Sequence, residues 1–235
     1  MTSTLDNAVV LVTGANGGLG EEFVKQALER GASKVYATAR SPRDWGDSRV
    51  ISLELDVTDE ASVSEAARQA KDVTVVINNA GIARVAPIAT GSLDDLRAVF
   101  ETNFFGAVSV AQKFAPVLAA NGGGVLVDVH SVLSWLGYSG AYSASKAALW
   151  SATNSLRLEL APQGTFVVGL HLGYADTPMT AGIDAPMNDP ADIVRTTFDG
   201  IEARDYEILA DDLSVSVKQG LAGSIEAMYP QLASA

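Results

Sequence analysis

Residues 8–31, AVVLVTGANGGLGEEFVKQALERG, decide how this chain folds. A continuous apolar run ends at Gly14, a glycine-rich turn follows, and the segment after Gly20 has the periodicity of an amphipathic helix. Continuous Val and Leu residues are typical of a strand that is covered on both faces, as in a parallel sheet packed between helices. The stretch therefore predicts a buried strand, a tight turn and a helix, in that order.

The turn carries a G-x-x-x-G-x-G pattern formed by Gly14, Gly18 and Gly20. Glycines let the backbone turn tightly and approach a ligand without an intervening Cβ. The free N–H groups at the start of the following helix favour a pyrophosphate. An ordinary glycine-rich turn is the alternative, but the position between the first strand and an amphipathic helix favours dinucleotide binding. The predicted cofactor loop comprises Gly14, Asn16, Gly18, Leu19 and Gly20.

Short apolar runs alternate with helical segments along the rest of the chain. Such alternation predicts an α/β fold, a doubly wound (Rossmann) and mostly parallel sheet of about seven strands with helices on both faces. No linker divides the chain, so residues 1–235 are expected to form one domain. The predicted strands are 8–14, 34–39, 50–55, 73–81, 124–129, 165–172 and 206–210, and the predicted helices lie near 18–30, 59–70, 92–119, 141–161 and 189–203.

The end of the second predicted strand indicates which dinucleotide is bound. An acidic residue there would take the ribose hydroxyls of NAD, whereas this chain has Arg40, with Arg43 nearby and no Asp or Glu between them. A guanidinium can stack on adenine and pair with a 2′-phosphate. The sequence therefore predicts NADP(H) as the preferred cofactor and NAD(H) as a possible one, although Arg40 could also be an ordinary surface residue.

Composition excludes several classes of function. The 235 residues include 16 Lys and Arg against 28 Asp and Glu, for a net charge of −12, which repels nucleic acid and anionic membranes. There is no cysteine, so disulfides and thiolate chemistry are excluded. The N-terminal segment has no basic region and only a short apolar run, which is unlike a signal peptide or a membrane span. We expect a cytoplasmic protein without nucleic-acid or membrane partners.

The segment YSASK places Tyr142 and Lys146 four residues apart at the start of a predicted helix. A free tyrosine titrates near pH 10, and a lysine one turn away on the same helical face would stabilise the phenolate. A serine near that tyrosine could hydrogen-bond a substrate oxygen and hold it in line for reaction. The alternative is that the pair merely begins a surface helix, but Leu149, Thr153 and later apolar residues continue its face as a buried stripe.

Five motifs now occur in a consistent order: TGANGGLG, LDVTD, NNAG, NFFG and YSASK. With them the chain resembles the short-chain dehydrogenases/reductases in their compact single-domain form, over residues 8 to about 210. The resemblance implies that Asn103 holds a water in a proton relay and that Lys146 also binds the nicotinamide ribose. It further implies dinucleotide contacts from Asp56, Val57, Asn79, Ala80, Gly81, Tyr142 and Thr177.

Two serines, Ser131 and Ser134, compete for the place beside Tyr142. The strand GVLVDVHS aligns with the family pattern so that Ser131 takes the catalytic position at the strand's carboxyl end. Ser134 lies in the following loop. The predicted catalytic set is Asn103, Ser131, Tyr142 and Lys146. The spacing from Ser131 to Tyr142 is slightly shorter than is usual in the family, and we expect the shortening to reshape the substrate wall.

A hydrolase triad of Asp128, His130 and Ser131 is disfavoured. Adjacent residues of a strand point to opposite faces, so His130 is not expected to reach Ser131, and the chain has no G-x-S-x-G elbow. His130 and His171, the only two histidines, each lie at a predicted strand end without carboxylates at metal-ligand spacing. Structural or pocket-lining roles are expected for both, and no metal site is predicted.

Apolar residues cluster in the two loops that should frame a substrate, and residues 174–190, rich in Pro and Gly, are expected to form a lid. Few charges line these loops, which favours a neutral ketone, aldehyde or secondary alcohol. The same side chains could equally be core or interface residues. The predicted substrate pocket comprises Leu133, Trp135, Tyr138, Tyr174 and Met179.

The sequence thus predicts an NADP(H)-dependent carbonyl reductase or alcohol dehydrogenase with a small-molecule substrate. A 3-oxoacyl-carrier-protein reductase is a close variant, disfavoured by the acidic surface because acidic carrier proteins dock on basic patches. A regulator or scaffold that binds NADP without turnover is the alternative from another class. By the family resemblance a homo-dimer or homo-tetramer is expected, formed through the helices near 92–119 and 141–161.

Overall fold

Seven strands form a single sheet, and each hydrogen-bonded pair runs parallel. The structure is a computed structural model that describes residues 4–84 and 86–232. The strand order is β3-β2-β1-β4-β5-β6-β7. The strands are β1 (Val9–Thr13), β2 (Lys34–Ala39), β3 (Val50–Glu54), β4 (Val75–Asn78), β5 (Val125–Val129), β6 (Phe166–His171) and β7 (Glu207–Leu209).

Helices cover both faces of this sheet. The bounds are α1 (Leu19–Glu29), α2 (Glu60–Gln69), α3 (Leu93–Phe100), α4 (Ala107–Ala120), α5 (Ala141–Leu160), α6 (Pro190–Ala203), α7 (Asp212–Gly220) and α8 (Ile225–Met228). Side chains of α1 and α6 pack into the core on one face, and those of α2, α4 and α5 pack into the core on the other. None of the helices within the described ranges is long and apolar enough to cross a membrane.

The period of two along a strand divides the core between these layers. In β1, Val10 and Val12 belong to the α1/α6 side, whereas Leu11 belongs to the α2/α4/α5 side. All three side chains are fully buried. Strands buried on both faces are mostly apolar, and β1 accordingly reads as an apolar run.

The fold class predicted from the sequence is confirmed, with two differences in detail. The single helix predicted near 92–119 is wrong, because a π-helical segment, Glu101–Gly106, separates α3 from α4. Helices α7 and α8 lie beyond the last predicted element. The single-domain prediction also included residues 1–3, 85 and 233–235, which lie outside the described residues.

The strand order reverses between β1 and β4, and the loops at the carboxyl ends of these strands diverge there. In open α/β sheets, ligands bind in the crevice at this switch point. Gly14 follows β1 and Asn79 follows β4, so the predicted glycine loop lies at the crevice. The topology thus places the predicted cofactor residues together before any side-chain contact is considered.

Replacing Phe198 with alanine should destabilise the fold strongly. Phe198 of α6 is fully buried, and its ring lies edge-on to Phe23 of α1, with 5.7 Å between the centroids. The cavity left by the missing ring should lower the free energy of unfolding by about 3–5 kcal/mol. Urea denaturation would measure this, with Ile88→Ala, a loop side chain that is 60% exposed, as a near-neutral control. Equal losses in the two variants would contradict the assignment of Phe198 to the core.

Candidate active site

The glycine loop is built for close approach of the backbone. Gly14 and Gly18 adopt φ of +65° and +55°, which side-chain-bearing residues rarely adopt. A Cβ added to Gly20 would lie 2.2 Å from the Gly14 carbonyl oxygen. The start of α1 therefore packs directly against the end of β1, and its N-terminal N–H groups border the crevice. This arrangement fits the pyrophosphate of a dinucleotide.

Asn79 fixes the shape of this loop from the neighbouring strand. Its Nδ2 donates to the carbonyl oxygens of Thr13, at 2.9 Å, and Gly14, at 3.2 Å. The Thr13 hydroxyl oxygen in turn accepts from the backbone N–H groups of Asn79 and Ala80, at 2.9 Å each. The loops after β1 and β4 are thus tied together, and Gly81 continues from them towards Asn103 and Lys146.

The other predicted cofactor residues surround the same crevice. The Asn16 amide donates to the Ser41 carbonyl, at 2.7 Å, and Thr177 packs against Gly18, 3.1 Å from where a Cβ would stand. Asp56 accepts hydrogen bonds from the Thr58 N–H and hydroxyl, which lower its pKa. Leu19 is partly buried against the core and Val57 is buried against Gly106.

The two arginines after β2 differ sharply in their surroundings. Arg43 forms an ion pair with Glu21, at 2.9 Å, and its guanidinium lies 4.1 Å from the centroid of the Trp45 ring. Arg40 is exposed and forms no ion pair or side-chain hydrogen bond with the residues that the structure describes. Its positive charge nonetheless helps to lower the pKa of Asp56. Arg40 is therefore the guanidinium available to an anion at this end of the crevice.

Lys146 is buried beneath the predicted catalytic tyrosine. Its Nζ donates to the Val129 carbonyl oxygen, at 2.7 Å, and lies 5.9 Å from the centroid of the Tyr142 ring. Burial lowers the pKa of Lys146 to about 8, and the nearby Asp128 carboxyl group opposes that shift when it is ionised. The amino group thus titrates close to physiological pH while remaining anchored to the end of β5.

Tyr142 holds its proton firmly in this environment. Burial raises the pKa of Tyr142 to about 12, and its hydrogen bond with Ser131 only partly opposes the shift. The Lys146 amino group donates to a backbone carbonyl, and its stabilisation of the phenolate stays a prediction. At neutral pH the hydroxyl is therefore a proton donor.

The two serines have different partners. The Ser131 hydroxyl bonds with Tyr142 and also accepts from the Leu133 N–H, at 3.1 Å. The Ser134 hydroxyl accepts from the Ser131 N–H, at 3.3 Å, and so closes a capping box around the 3₁₀ turn Val132–Ser134. The structure places Ser131 against the tyrosine and uses Ser134 to hold the turn.

Asn103 lies in the π-helical segment between α3 and α4. Its Oδ1 accepts from the Ile82 N–H, at 2.8 Å, and its Nδ2 donates to the Ile82 carbonyl, at 3.0 Å. Nδ2 also donates to the Ser145 hydroxyl, at 3.2 Å. The side chain thus ties the loop after β4 to α5. Its role in a water relay stays a prediction.

The predicted pocket residues fall into two groups. Tyr138, Tyr174 and Met179 are exposed, and Leu133 is partly buried, around the loops after β5 and β6. Trp135, in contrast, is buried away from solvent and stacks on His171, with 4.0 Å between ring centroids. Trp135 therefore forms part of the packing, and a pocket role for the other four residues stays a prediction.

The sequence did not predict a contact between the shortened loop and the C-terminal segment. The Gly137 N–H donates to the Tyr229 hydroxyl, at 2.9 Å, and the Tyr138 hydroxyl donates to the Met228 carbonyl, at 3.2 Å. The rings of Tyr138 and Tyr229 lie 5.3 Å apart. Residues 228–229 thus cover the loop that joins Ser131 to Tyr142, and no motif in that part of the sequence signals it.

The segment predicted as a lid, residues 174–190, is closed at its base. An isolated parallel bridge joins Ala175 to Asn188. The Asn188 side chain donates to the Tyr174 carbonyl, at 2.8 Å, and to the Asp211 carboxylate, at 3.0 Å. The tip between these anchors is largely exposed. Movement of the tip over the site stays a prediction.

Comparison with known proteins finds similar sequences and structures over most of this chain. A profile of the short chain dehydrogenase family matches residues 8–188. The crystal structure of a short chain dehydrogenase from Burkholderia cenocepacia J2315 in complex with NADP superimposes with a TM-score of 0.91, at 34% identity, covering 97% of this chain and 98% of that one.

Two curated proteins are also similar. The short-chain dehydrogenase cctT of Talaromyces islandicus is 34% identical over 78% of this chain, and 66% of its own length is covered. The NADPH-dependent 1-acyldihydroxyacetone phosphate reductase of Schizosaccharomyces pombe is 35% identical over 72% of this chain, and 60% of its length is covered. The chain therefore matches less than two thirds of the length of these two relatives.

Replacing Arg40 with leucine should weaken NADPH binding selectively. A hydrogen-bonded ion pair with the 2′-phosphate is worth about 1.5–3 kcal/mol, so the affinity for NADPH relative to NADH should fall about tenfold or more. Arg43→Leu is the matched control, because Arg43 is already paired with Glu21. Titration calorimetry with both dinucleotides measures the ratio. An unchanged ratio in Arg40→Leu, or equal losses in both variants, would show that Arg40 does not select the cofactor.

Proposed function

The chain belongs to the short-chain dehydrogenase family of oxidoreductases, and from this membership we propose that it reduces a small neutral ketone or aldehyde with NADPH. The observation that carries the proposal is the hydrogen bond between Tyr142 and Ser131 just after β5, at the same edge of the sheet as the glycine loop. The reverse reaction, oxidation of a secondary alcohol, belongs to the same proposal.

The residues of the crevice fit a dinucleotide. The glycine loop leaves room for the pyrophosphate, Asn79 holds that loop in shape, and Arg40 is available for the 2′-phosphate. The NADP bound by the Burkholderia cenocepacia protein and the NADPH dependence of the Schizosaccharomyces pombe reductase support the same cofactor for this chain. When bound, the nicotinamide supplies the hydride.

In this proposal Tyr142 supplies the proton. A carbonyl oxygen that hydrogen-bonds to the Ser131 and Tyr142 hydroxyls gains negative charge as its carbon is reduced, and the phenol then donates its proton to that oxygen. Because burial raises the pKa of Tyr142 to about 12, the proton is present throughout the neutral range.

The proposed substrate class rests on the loops after β5 and β6. Tyr138, Tyr174 and Met179 expose apolar and aromatic surface there. Such walls bind neutral molecules by burying apolar area, with Ser131 and Tyr142 orienting the carbonyl. The hydrogen bond between Gly137 and Tyr229 brings the C-terminal segment beside this surface, in keeping with a small substrate.

The Tyr142→Phe variant should lose reductase activity while still binding NADPH. Without the phenolic proton the developing alkoxide has no donor, and general-acid catalysis of this kind contributes about 10²–10⁴-fold to the rate. The loss of NADPH absorbance with a panel of ketones and aldehydes measures turnover, and NADPH fluorescence measures binding.

Tyr206→Phe is the matched control, because Tyr206 is 60% exposed and packs against Phe166 and Arg157 on the far side of β6. It should retain both turnover and binding. A wild-type protein that binds NADPH but reduces no member of the panel would instead indicate a cofactor-sensing regulator.

A further inference from the structure

A buried chain of polar side chains leads away from the back of Ser131. His171 Nδ1 lies 3.2 Å from the Ser131 carbonyl oxygen, and His171 Nε2 lies 3.1 Å from His130 Nδ1. His130 Nε2 lies 2.8 Å from the Thr153 hydroxyl, which lies 2.7 Å from Asp128 Oδ2. All of these side chains are buried, and none takes part in the proposed reduction.

A glycine in the central strand β6 leaves space for the ring of His130. Gly169 pairs with Asp128 across β5 and β6, and a Cβ at Gly169 would lie 2.7 Å from the His130 ring. Glycine in a central strand weakens the strand, and it commonly marks a close approach by another group. On the other side, the Trp135 ring stacks on His171 at an angle of 14°. The two imidazoles are therefore enclosed by the packing and cannot turn freely.

The number of protons in this chain follows from its contacts. Four contacts join Asp128, Thr153, His130, His171 and the Ser131 carbonyl, and each needs one hydrogen between its two atoms. The Thr153 hydroxyl also lies 2.8 Å from the Leu149 carbonyl oxygen, and we take its hydrogen to be shared between that oxygen and the acceptor within the four contacts. The Asp128 Oδ1 atom is separately satisfied by the Asn78 amide, at 3.1 Å. An ionised carboxylate, one hydroxyl and two neutral imidazoles supply only three hydrogens.

The Ser131 carbonyl, at one end of these contacts, determines which atom donates in each of them. A carbonyl only accepts, so His171 Nδ1 must carry a hydrogen. If His171 is neutral, its Nε2 accepts from His130, His130 accepts from the Thr153 hydroxyl, and Asp128 must be protonated. If Asp128 is ionised, Thr153 donates to it, His130 donates to Thr153, and either His130 or His171 must be doubly protonated. Each of these arrangements contains one additional proton.

We propose that this row of hydrogen-bonded side chains retains one proton more than an ionised carboxylate and two neutral imidazoles would hold. We further propose that His171 thereby positions Ser131 for the reaction. His171, His130, Thr153 and Asp128 are positioning residues, since they act on the substrate oxygen only through Ser131. The first part concerns the protein alone, whereas the positioning role rests on the proposed reductase function.

Charged side chains from three elements surround the hydrogen-bonded histidines. Lys146 and Arg157 of α5 and Lys218 of α7 disfavour a charge on the histidines, whereas Glu207 of β7 lies 3.7 Å from His171 Nε2 and favours one. Burial lowers the pKa of both histidines.

Burial shifts the pKa of Asp128, at the other end of these contacts, in the opposite direction. Burial raises the pKa of Asp128, against the hydrogen bonds of Thr153 and Asn78 and the charges of Lys146 and Arg157. These directions favour the arrangement in which Asp128 keeps the additional proton and both imidazoles are neutral.

Nitrogen-15 NMR of the histidine rings tests the protonation directly. The chain has only two histidines, so the ring signals of the folded protein are few. We expect a hydrogen on His171 Nδ1 at pH 7, together with either neutral Nδ1–H forms of both rings or an imidazolium at His130 or His171. Two neutral rings with the His130 hydrogen on Nε2, or a His171 ring that carries its only hydrogen on Nε2, would overturn the proposal, whether or not the protein is a reductase.

The Thr153→Val variant tests the positioning role. It preserves the shape of the side chain but breaks the link between Asp128 and His130. We expect kcat for carbonyl reduction to fall about tenfold, the affinity for NADPH to stay within about twofold, and the NMR pattern of the rings to change. Thr197→Val is the matched control, because Thr197 is equally buried and its hydroxyl likewise donates to the carbonyl four residues earlier.

Two substitutions of His171 separate the hydrogen bond from the packing. Asparagine can present an N–H near the position of Nδ1, so His171→Asn should retain most of kcat, whereas His171→Leu should lose it. Equal kcat losses in Thr153→Val and Thr197→Val, or in His171→Asn and His171→Leu, would show a purely structural role and overturn the positioning part.

Discussion

The parallel pairing of β1, β4 and β5 is the constraint on which the candidate site depends. Parallel strands end at the same edge of a sheet, so this pairing brings together the segments that follow Thr13, Asn78 and Val129. These segments carry the glycine loop, the asparagine that braces it and the serine beside the tyrosine. The residues lie far apart in the chain, and only the register of the sheet makes them neighbours.

Burial then shifts the pKa values of Tyr142 and Lys146, which follow the ends of these strands in space. It raises the pKa of Tyr142 and lowers that of Lys146, because removal from water disfavours the phenolate and the ammonium alike. The phenol therefore keeps its proton, and the lysine is anchored to the Val129 carbonyl. A proton donor in a partly enclosed crevice, beside a loop shaped for phosphate, suits the reduction of a carbonyl better than hydrolysis.

Local sequence patterns predicted the strands and most helices, because continuous apolar runs and helical periodicity depend on near neighbours. The spacing of Tyr142 and Lys146, and the position of Ser131 at a strand end, were readable for the same reason. Patterns could not show that α3 and α4 are separated by a π-helical segment, since the hydrogen bonds of Asn103 to Ile82 depend on the loop after β4.

The histidines show the limit of such predictions most clearly. Each lies alone at a strand end, and only the pairing of β5 with β6 brings the His130 and His171 rings to 4.6 Å. Trp135, predicted to line the substrate pocket, packs against this pair because its loop returns towards β6. The docking of Tyr229 on Gly137 is equally a long-range contact that no local pattern encodes.

Transfer of deuterium from NADPH labelled at C4 of the nicotinamide tests the central claim most directly. The wild-type protein would be incubated with the labelled cofactor and a neutral ketone that it consumes, and the alcohol analysed by mass spectrometry. Hydride transfer in this crevice predicts one deuterium on the carbinol carbon of each product molecule, from one of the two C4 positions only. Product alcohol without deuterium from either labelled form, or bound NADPH that is never oxidised by any ketone or aldehyde, would contradict it.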